Sequence, residues 1–304
     1  MGTIYNIKYK DKNDYQTEID KELIRINNEL STYIKTSTIS KFNISEYGIK
    51  VDRSDFMINL LKAGEIFVLA DGLYDPTVMP LVNYWGFGYT EHKKVEKVDS
   101  AKIAELLKLT GLRLVKIIPS ENDSVFISKK FPGVQLDFSS IAKGYAVDKI
   151  GELLAKKGIN DYMVEIGGEI VSKGLSPAGQ KWVIGINTPS ENAAPDDFFM
   201  EVSISGKGMA TSGNYRNFLG EGKERYSHTI NPKTGFPEKS NLLSATIIAE
   251  DCMTADALAT ACMVSGFEKS KKMISSLKNT EACFIWSNEK NEMVVYTTPG
   301  FNKN

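Results

Sequence analysis

Asp256 and Thr260 stand four residues apart in "CMTADALATACMVSG", residues 252–266. On a helix such a pair shares one face, and both side chains end in oxygen, the donor that Mg²⁺ prefers. Leu258 and Cys262 fall on the opposite side, and alanines at 255, 257, 259 and 261 let another backbone or a ligand come close. A carboxylate among apolar neighbours is costly without a partner, and a cation is one such partner. Ordinary helix architecture is the alternative. An acid in a first turn complements the helix dipole, and threonine often bonds back to its own helix.

Four other stretches carry chemistry-bearing residues. "DFSSIAKGYAVDKI" (137–150) reads as a strand end followed by a helix that begins near Ser140 or Ile141. Lys143 falls in the first turn, where the dipole disfavours a cation. An anion beside it, such as a phosphate on the free N–H groups, accounts for the lysine; a solvated surface lysine is the alternative. "GKGMATSGNYRNF" (206–218) reads as a glycine-rich loop in which Thr211 and Ser212 either cradle a phosphate or shape a turn. In "YSHTINPKTGFP" (226–237), His228 precedes a Pro/Gly turn and suits either a neutral-pH base or a structural imidazole. "ADGLYDPTVMPLVNYWGFG" (70–88) mixes aromatics with Gly and Pro, as a core corner or as a wall for a flat ring.

The elements that must position these residues mix helix and strand signals. Ile19, Leu23, Ile26 and Leu30 recur at helical spacing. A second helix starts near Ser54 and ends before Gly72. A third, "SAKIAELLKLTG", is capped by Ser100 and stopped by Gly111. "LVKII", "SVFIS" and "VQLDF" read as strands, "IAKGYAVDKIGELLAKKG" as a helix ending at Gly158, and "DYMVEIGGEIVSKG" as a hairpin around Gly167-Gly168. "WVIGIN", "FMEVSIS", "LLSATIIAE", "EACFIW" and "MVVYTT" are further strands, with helices over the opening stretch and "FEKSKKMISSLKN". Helices and strands do not alternate as βαβ units, which predicts an α+β fold with mixed or antiparallel sheets and flanking helices. The expected organisation is one domain over residues 1–304, or two closely packed subdomains.

Composition narrows the function. The 304 residues hold 37 Lys+Arg against 38 Asp+Glu, with no basic block, which argues against nucleic acid as a partner. Hydrophobic residues at 42% and charged residues at 25% are globular proportions. No apolar run reaches the roughly 18 residues of a membrane span. Three cysteines without a CxxC, and only two histidines, oppose structural disulfides, zinc and a multi-histidine metal site. Neither glycine-rich nucleotide motif, G-x-G-x-x-G or G-x-x-x-x-G-K-[ST], occurs where a nucleotide fold needs it.

Together the stretches resemble the ApbE family, the flavin transferases that attach FMN to proteins. The resemblance rests on "MGTIY", "STYIKTSTISKFN", "YDPTVMPLVNYWGFG", "DFSSIAKGYAVDKI", "EIGGEIVSKG", "ATSGNYRNF", "YSHTINPKTGFP" and "ADALATA", spread from Met1 to Ala261. It implies an ApbE-like fold that takes Mg²⁺ as cofactor and FAD as substrate. By that resemblance Asp256 and Thr260 are metal ligands, and Ser140 is a further metal contact, often through main-chain oxygen. FAD contacts fall on Met1, Tyr33, Leu73, Tyr74, Asp75, Asp137, Lys143, His228 and Ile230. Three positions depart from the family pattern. Ala259 stands where some members have another acidic ligand. Ser139-Ser140 replaces small residues, and Glu165 stands where Asn is frequent, adding a negative charge near the nucleotide.

The implied reaction moves FMN from FAD onto a threonine or serine hydroxyl of an acceptor flavoprotein in an electron-transfer system, releasing AMP. The catalytic residues expected are Lys143 as a fixed positive charge, Asp256 on the metal, and His228 as first choice of base, with Asp256 second. A Mg²⁺-dependent FAD pyrophosphatase giving FMN and AMP uses the same site. A non-catalytic FAD-binding envelope protein needs no base, which the coincidence of lysine, metal pair and histidine argues against. The resemblance also implies export to the periplasm or cell-envelope face. Membrane attachment is expected only through a lipid anchor outside this chain, whose visible start carries no leader.

Overall fold

The computed structural model describes residues 2–52, 54–90, 98–121, 124–190, 193–194, 197–214, 218–219, 226–227, 229–290 and 292–303. The chain begins with β1 (Tyr5–Tyr9), α1 (Gln16–Leu30), α2 (Thr38–Ile44), β2 (Gly48–Val51), α3 (Asp55–Leu69), α4 (Met79–Tyr84) and α5 (Ser100–Leu107). It continues with β3 (Val115–Pro119), β4 (Val125–Lys129), α6 (Ala142–Lys156), β5 (Tyr162–Ile166), β6 (Glu169–Lys173), β7 (Trp182–Asn187), β8 (Phe198–Ile204) and β9 (Lys207–Gly213). Then come β10 (Phe218–Leu219), β11 (Tyr226–Ser227), β12 (Leu242–Ala249), α7 (Cys252–Ser275), β13 (Glu281–Ser287) and β14 (Met293–Thr297). Every strand pair among the described residues is antiparallel, so the fold is α+β as the element order predicted. No helix among them is long and apolar enough to cross a membrane.

The chain divides into two compact units. The first comprises residues 1–23, 140–216 and 240–304. Its centre is a seven-stranded sheet in the order β1-β5-β6-β9-β12-β13-β14. The β7–β8 pair joins that sheet in one apolar cluster that includes Trp182, Ile184, Val202, Met209, Ile248 and Ile285. Helices α6 and α7 pack against the same sheet. Seven of the eight residues of β12 are buried, as befits a strand covered on both faces. All three cysteines are free and buried, in agreement with their reading as small core side chains.

Within segment 206–218, expected as a loop, Lys207–Gly213 form strand β9. Its small residues serve close packing: a Cβ on Gly208 would lie 2.2 Å from the Cys252 N atom at the start of α7. The hairpin expected at Gly167-Gly168 forms, with φ of 64° and 101° at the two glycines, and pairs Ile166 with Glu169. α7 breaks at Gly266 (φ 72°, ψ 172°), which separates the two helices expected there.

The second unit comprises residues 24–139 and 217–239. It holds helices α2 to α5, the three-stranded sheet β2-β4-β3 and the short pair β10–β11. Two expectations change here. The cap of α5 is Asp99, whose carboxylate accepts from Lys102 N at 3.0 Å, and not Ser100. "VQLDF" is extended but joins no sheet. The Asn43 amide accepts from Leu136 N at 2.7 Å and donates to Leu136 O at 2.9 Å, doing with one side chain what a neighbouring strand does with backbone. Val134, Leu136 and Phe138 are buried, which explains the alternating pattern that looked like a strand.

Candidate active site

In the first unit, α6 and α7 bring Lys143 and Asp256 together. The approach is possible because Gly144 has no side chain. A Cβ there would lie 2.4 Å from Cys252 O and 2.8 Å from Asp256 Cβ. Gly144 N, a free donor in the first turn of α6, points into this contact and donates to Asp256 Oδ2 at 3.0 Å. Asp256 is only 3% exposed. It lies in the second turn of α7, and the first turn is satisfied by other acids. Asp251 caps it through Thr254 N at 2.6 Å, and Asp148 of α6 accepts from Cys252 N and Met253 N, both at 2.8 Å. Dipole complementation therefore does not explain Asp256.

The Lys143 ammonium is paired with Glu169 Oε1, at the first residue of β6. The Glu169 side chain is 4% exposed and that of Lys143 is 31% exposed. Glu169 Oε2 is buried with no hydrogen-bond partner among the described residues. The ammonium is thus paired with one buried carboxylate, Glu169, and lies within the electrostatic reach of a second, Asp256. Burial raises the Asp256 carboxyl above its ordinary range, outweighing Lys143 and the Gly144 N–H, which favour the charged form. Burial likewise raises Glu169, with Asp256 adding repulsion and Lys143 opposing both. For Lys143 burial acts downward, yet Asp256 and Glu169 together outweigh it and hold the ammonium above its usual value. Asp148 is pushed up to about 7 by burial, against its two N–H donors.

Hydroxyls complete the cluster. Thr260, one turn beyond Asp256, lies with its Oγ1 3.2 Å from Ser212 Oγ of β9, whereas Thr211 and Thr246, whose Oγ1 atoms are 2.8 Å apart, are on the opposite face of the sheet, the face that packs against β7 and β8. The donors of the cluster fit a Mg²⁺ ion. Asp256 and Thr260 offer hard oxygens one helical turn apart, and the buried Asp256 carboxylate accepts from Gly144 N on one oxygen at 3.0 Å. No group of three His, Cys, Asp or Glu side chains that could hold a metal forms among the described residues.

A family model described as the ApbE family matches residues 1–284. The chain belongs to the ApbE family. The FAD:protein FMN transferase of Vibrio cholerae is 40% identical over 88% of this chain and 80% of its own length. That of Haemophilus influenzae is 34% identical, covering 100% of this chain and 89% of its own. Among solved structures, the flavin transferase ApbE from Vibrio cholerae superposes with a TM-score of 0.87 at 34% identity, covering 100% of this chain and 96% of that one. The Pseudomonas stutzeri flavinyl transferase ApbE, in its apo form, gives 0.82 at 31% identity, covering 98% and 92%.

Of the residues expected in an ApbE site, Lys143, Asp256 and Thr260 fall in the cluster just described. Ser140 is half-buried and lies three residues before Lys143, in the same unit. Tyr33, Leu73, Tyr74, Asp75, Asp137 and Ile230 belong to the second unit. Tyr33 is 72% exposed, whereas Leu73 and Tyr74 are buried. Asp75 is buried too, and its carboxylate accepts from Thr77 N (2.8 Å), Thr77 Oγ1 (2.6 Å) and Leu112 N (3.2 Å). Burial nonetheless raises its pKa. The Asp137 carboxylate accepts from Ser139 N at 2.8 Å and Ser139 Oγ at 3.0 Å. Ile230 packs with Leu81, Trp85 and Ile103, and Trp85 Nε1 donates to Gly235 O at 2.8 Å, so this tryptophan is a core corner. Met1 and His228 lie outside the described residues. Glu165 is engaged in the hairpin, accepting from Asn6 Nδ2 at 2.6 Å and Gly168 N at 2.7 Å.

Glu169 was not foreseen. Its signal lay in the hairpin register. A two-residue turn at Gly167-Gly168 sets Glu169 directly opposite Ile166, so both side chains share one face. Ile166 is core, which makes Glu169 an inward acid.

Proposed function

We propose that this chain is a FAD:protein FMN transferase, which moves FMN from FAD onto a threonine or serine hydroxyl of an acceptor protein and releases AMP. The observation that carries this reading is the cluster of the first unit, where the buried Asp256 carboxylate stands one helical turn from Thr260 and near Lys143, whose ammonium is paired with Glu169. Membership of the ApbE family and the names of its relatives support it.

The reaction is displacement at phosphorus. The acceptor oxygen forms a bond to the flavin-side phosphorus as the bond from that phosphorus to the bridging oxygen breaks, and the electron pair leaves on AMP. The main barrier is the approach of an oxygen nucleophile to an anionic pyrophosphate. Lys143, partly open to solvent and steadied on one side by Glu169, supplies a fixed positive charge to that anion. Asp256, Thr260 and a main-chain oxygen at Ser140 would hold Mg²⁺. When bound there, Mg²⁺ supplies neutralisation and orientation of the phosphate oxygens. His228 takes the hydroxyl proton, because an unperturbed imidazole titrates near 6.5, close to working pH.

The test mixes the protein with FAD, Mg²⁺ and a threonine-bearing acceptor, with and without chelator. The expected outcome is a fluorescent acceptor heavier by one FMN, one AMP released per transfer, and neither with chelator. AMP release at the same rate without acceptor would make the protein a pyrophosphatase. A yellow protein that releases no AMP would make it a flavin binder.

A further inference from the structure

The Lys143 ammonium stands between two acids. Its backbone neighbour Gly144 N touches Asp256 Oδ2 at 3.0 Å, so the flexible four-carbon stem begins one residue from that carboxylate. The ammonium nevertheless sits on Glu169 Oε1. Glu169 is well suited to capture it. It is buried, it starts β6 directly after a turn fixed by two positive-φ glycines, and its other oxygen has no partner among the described residues. An ammonium on Asp256 would occupy the lone pairs that a metal needs and repel any cation that approached.

We infer that Glu169 is a positioning residue that holds Lys143 off Asp256 and so keeps the Asp256 carboxylate available to a divalent cation. The inference rests on the cation role proposed for Asp256. It assigns Glu169 no contact with the ion. Its effect passes through Lys143, as partners of metal ligands commonly act.

The test measures Mn²⁺ binding to the flavin-free protein by electron paramagnetic resonance, in wild type, Glu169→Gln and Lys143→Met/Glu169→Gln. Thermal melts check that each is folded, and Glu169→Met repeats the measurement with an apolar side chain should the amide not be tolerated. Wild type is expected to bind one ion. Glu169→Gln should weaken it by about 10-fold, and the double variant should recover most of that loss because the competing ammonium is gone. A crystal structure of Glu169→Gln should place Lys143 Nζ within hydrogen-bond distance of Asp256. Unchanged affinity in Glu169→Gln would overturn the inference. So would a double variant as weak as the single, since Glu169 would then be a direct ligand. Weak binding with Lys143 still clear of Asp256 would also overturn it, leaving only a loss of charge. A wild type that binds no ion would sink the proposed metal site itself, and the inference with it.

Discussion

Two lysines of this protein carry charge into sheltered surroundings, one in each unit, and they are satisfied in opposite ways. Lys129, at the end of β4, is 6% exposed and donates to three neutral carbonyls: Phe42 O (2.8 Å), Val134 O (3.0 Å) and Asn43 O (3.1 Å). An ammonium has three donors, so its capacity is filled. Two of those carbonyls close the C-terminal turn of α2, where the dipole welcomes a cation. Lys143 pairs with the Glu169 carboxylate and is acted on by the charge of a second, Asp256. A sheltered charge alone does not mark a site of chemistry. What sets Lys143 apart is its company of buried carboxylates, whose combined charge exceeds its own, where Lys129 has a filled shell of neutral carbonyls.

The sharpest way to break this contrast is Asp256→Ala. It should cut FMN transfer on the order of 10³-fold or more, the value of several kcal/mol of charge stabilisation, while the melting curve shows a folded protein. Full transfer in the variant would leave the Lys143 region as mere architecture. Next comes the pair Lys143→Met and Lys129→Met. The first should slow transfer by roughly 10²-fold with stability kept. The second should cost about 2–4 kcal/mol of stability, since three buried carbonyls lose their donor, with turnover per folded molecule unchanged. Urea midpoints and acceptor fluorescence read both, and the reverse assignment of effects would invert the comparison.

The smallest effect is a pH dependence. Burial lowers Lys129 from 10.5 to about 8. Below pH 8 both folded and unfolded chains hold the proton, and the full cost of burying the ammonium is present. Between about 8 and 10.5 the unfolded chain keeps a proton that the folded chain has lost, so stability rises with pH across this window. The stability gap between wild type and Lys129→Met should therefore widen from pH 8 to 10.5. A constant gap in urea titrations would show that Lys129 ionises like a surface lysine.

What could be read in advance follows from how local each signal was. Asp256 and Thr260 announced themselves by helical spacing, and the Gly167-Gly168 hairpin by its turn chemistry, because both depend on neighbours in sequence. Residues 207–213 misled because glycine, serine and threonine favour turns. Here they are small so that α7 can begin against β9, a contact between residues more than forty positions apart. "VQLDF" misled because its backbone bonds go to the Asn43 side chain, to Pro76 O and to the Lys129 ammonium and not to a strand. Lys143 was expected beside an anion such as a phosphate on the helix N-terminus. The partner in this chain is Glu169, whose position depends on the register of β5 on β6 together with the packing of α6 on that sheet.

Asp148 stands five residues beyond Lys143 on α6, and its carboxylate grips the first two amides of α7. Opposite charges borne on separate helices would drift as the helices slide. With this strap in place, the rod that carries the ammonium and the rod that carries Asp256 travel as one lever. The frame thereby fixes where the lysine stem and the Asp256 carboxylate start, and leaves only the swing of the side chain itself to vary the gap between their charges.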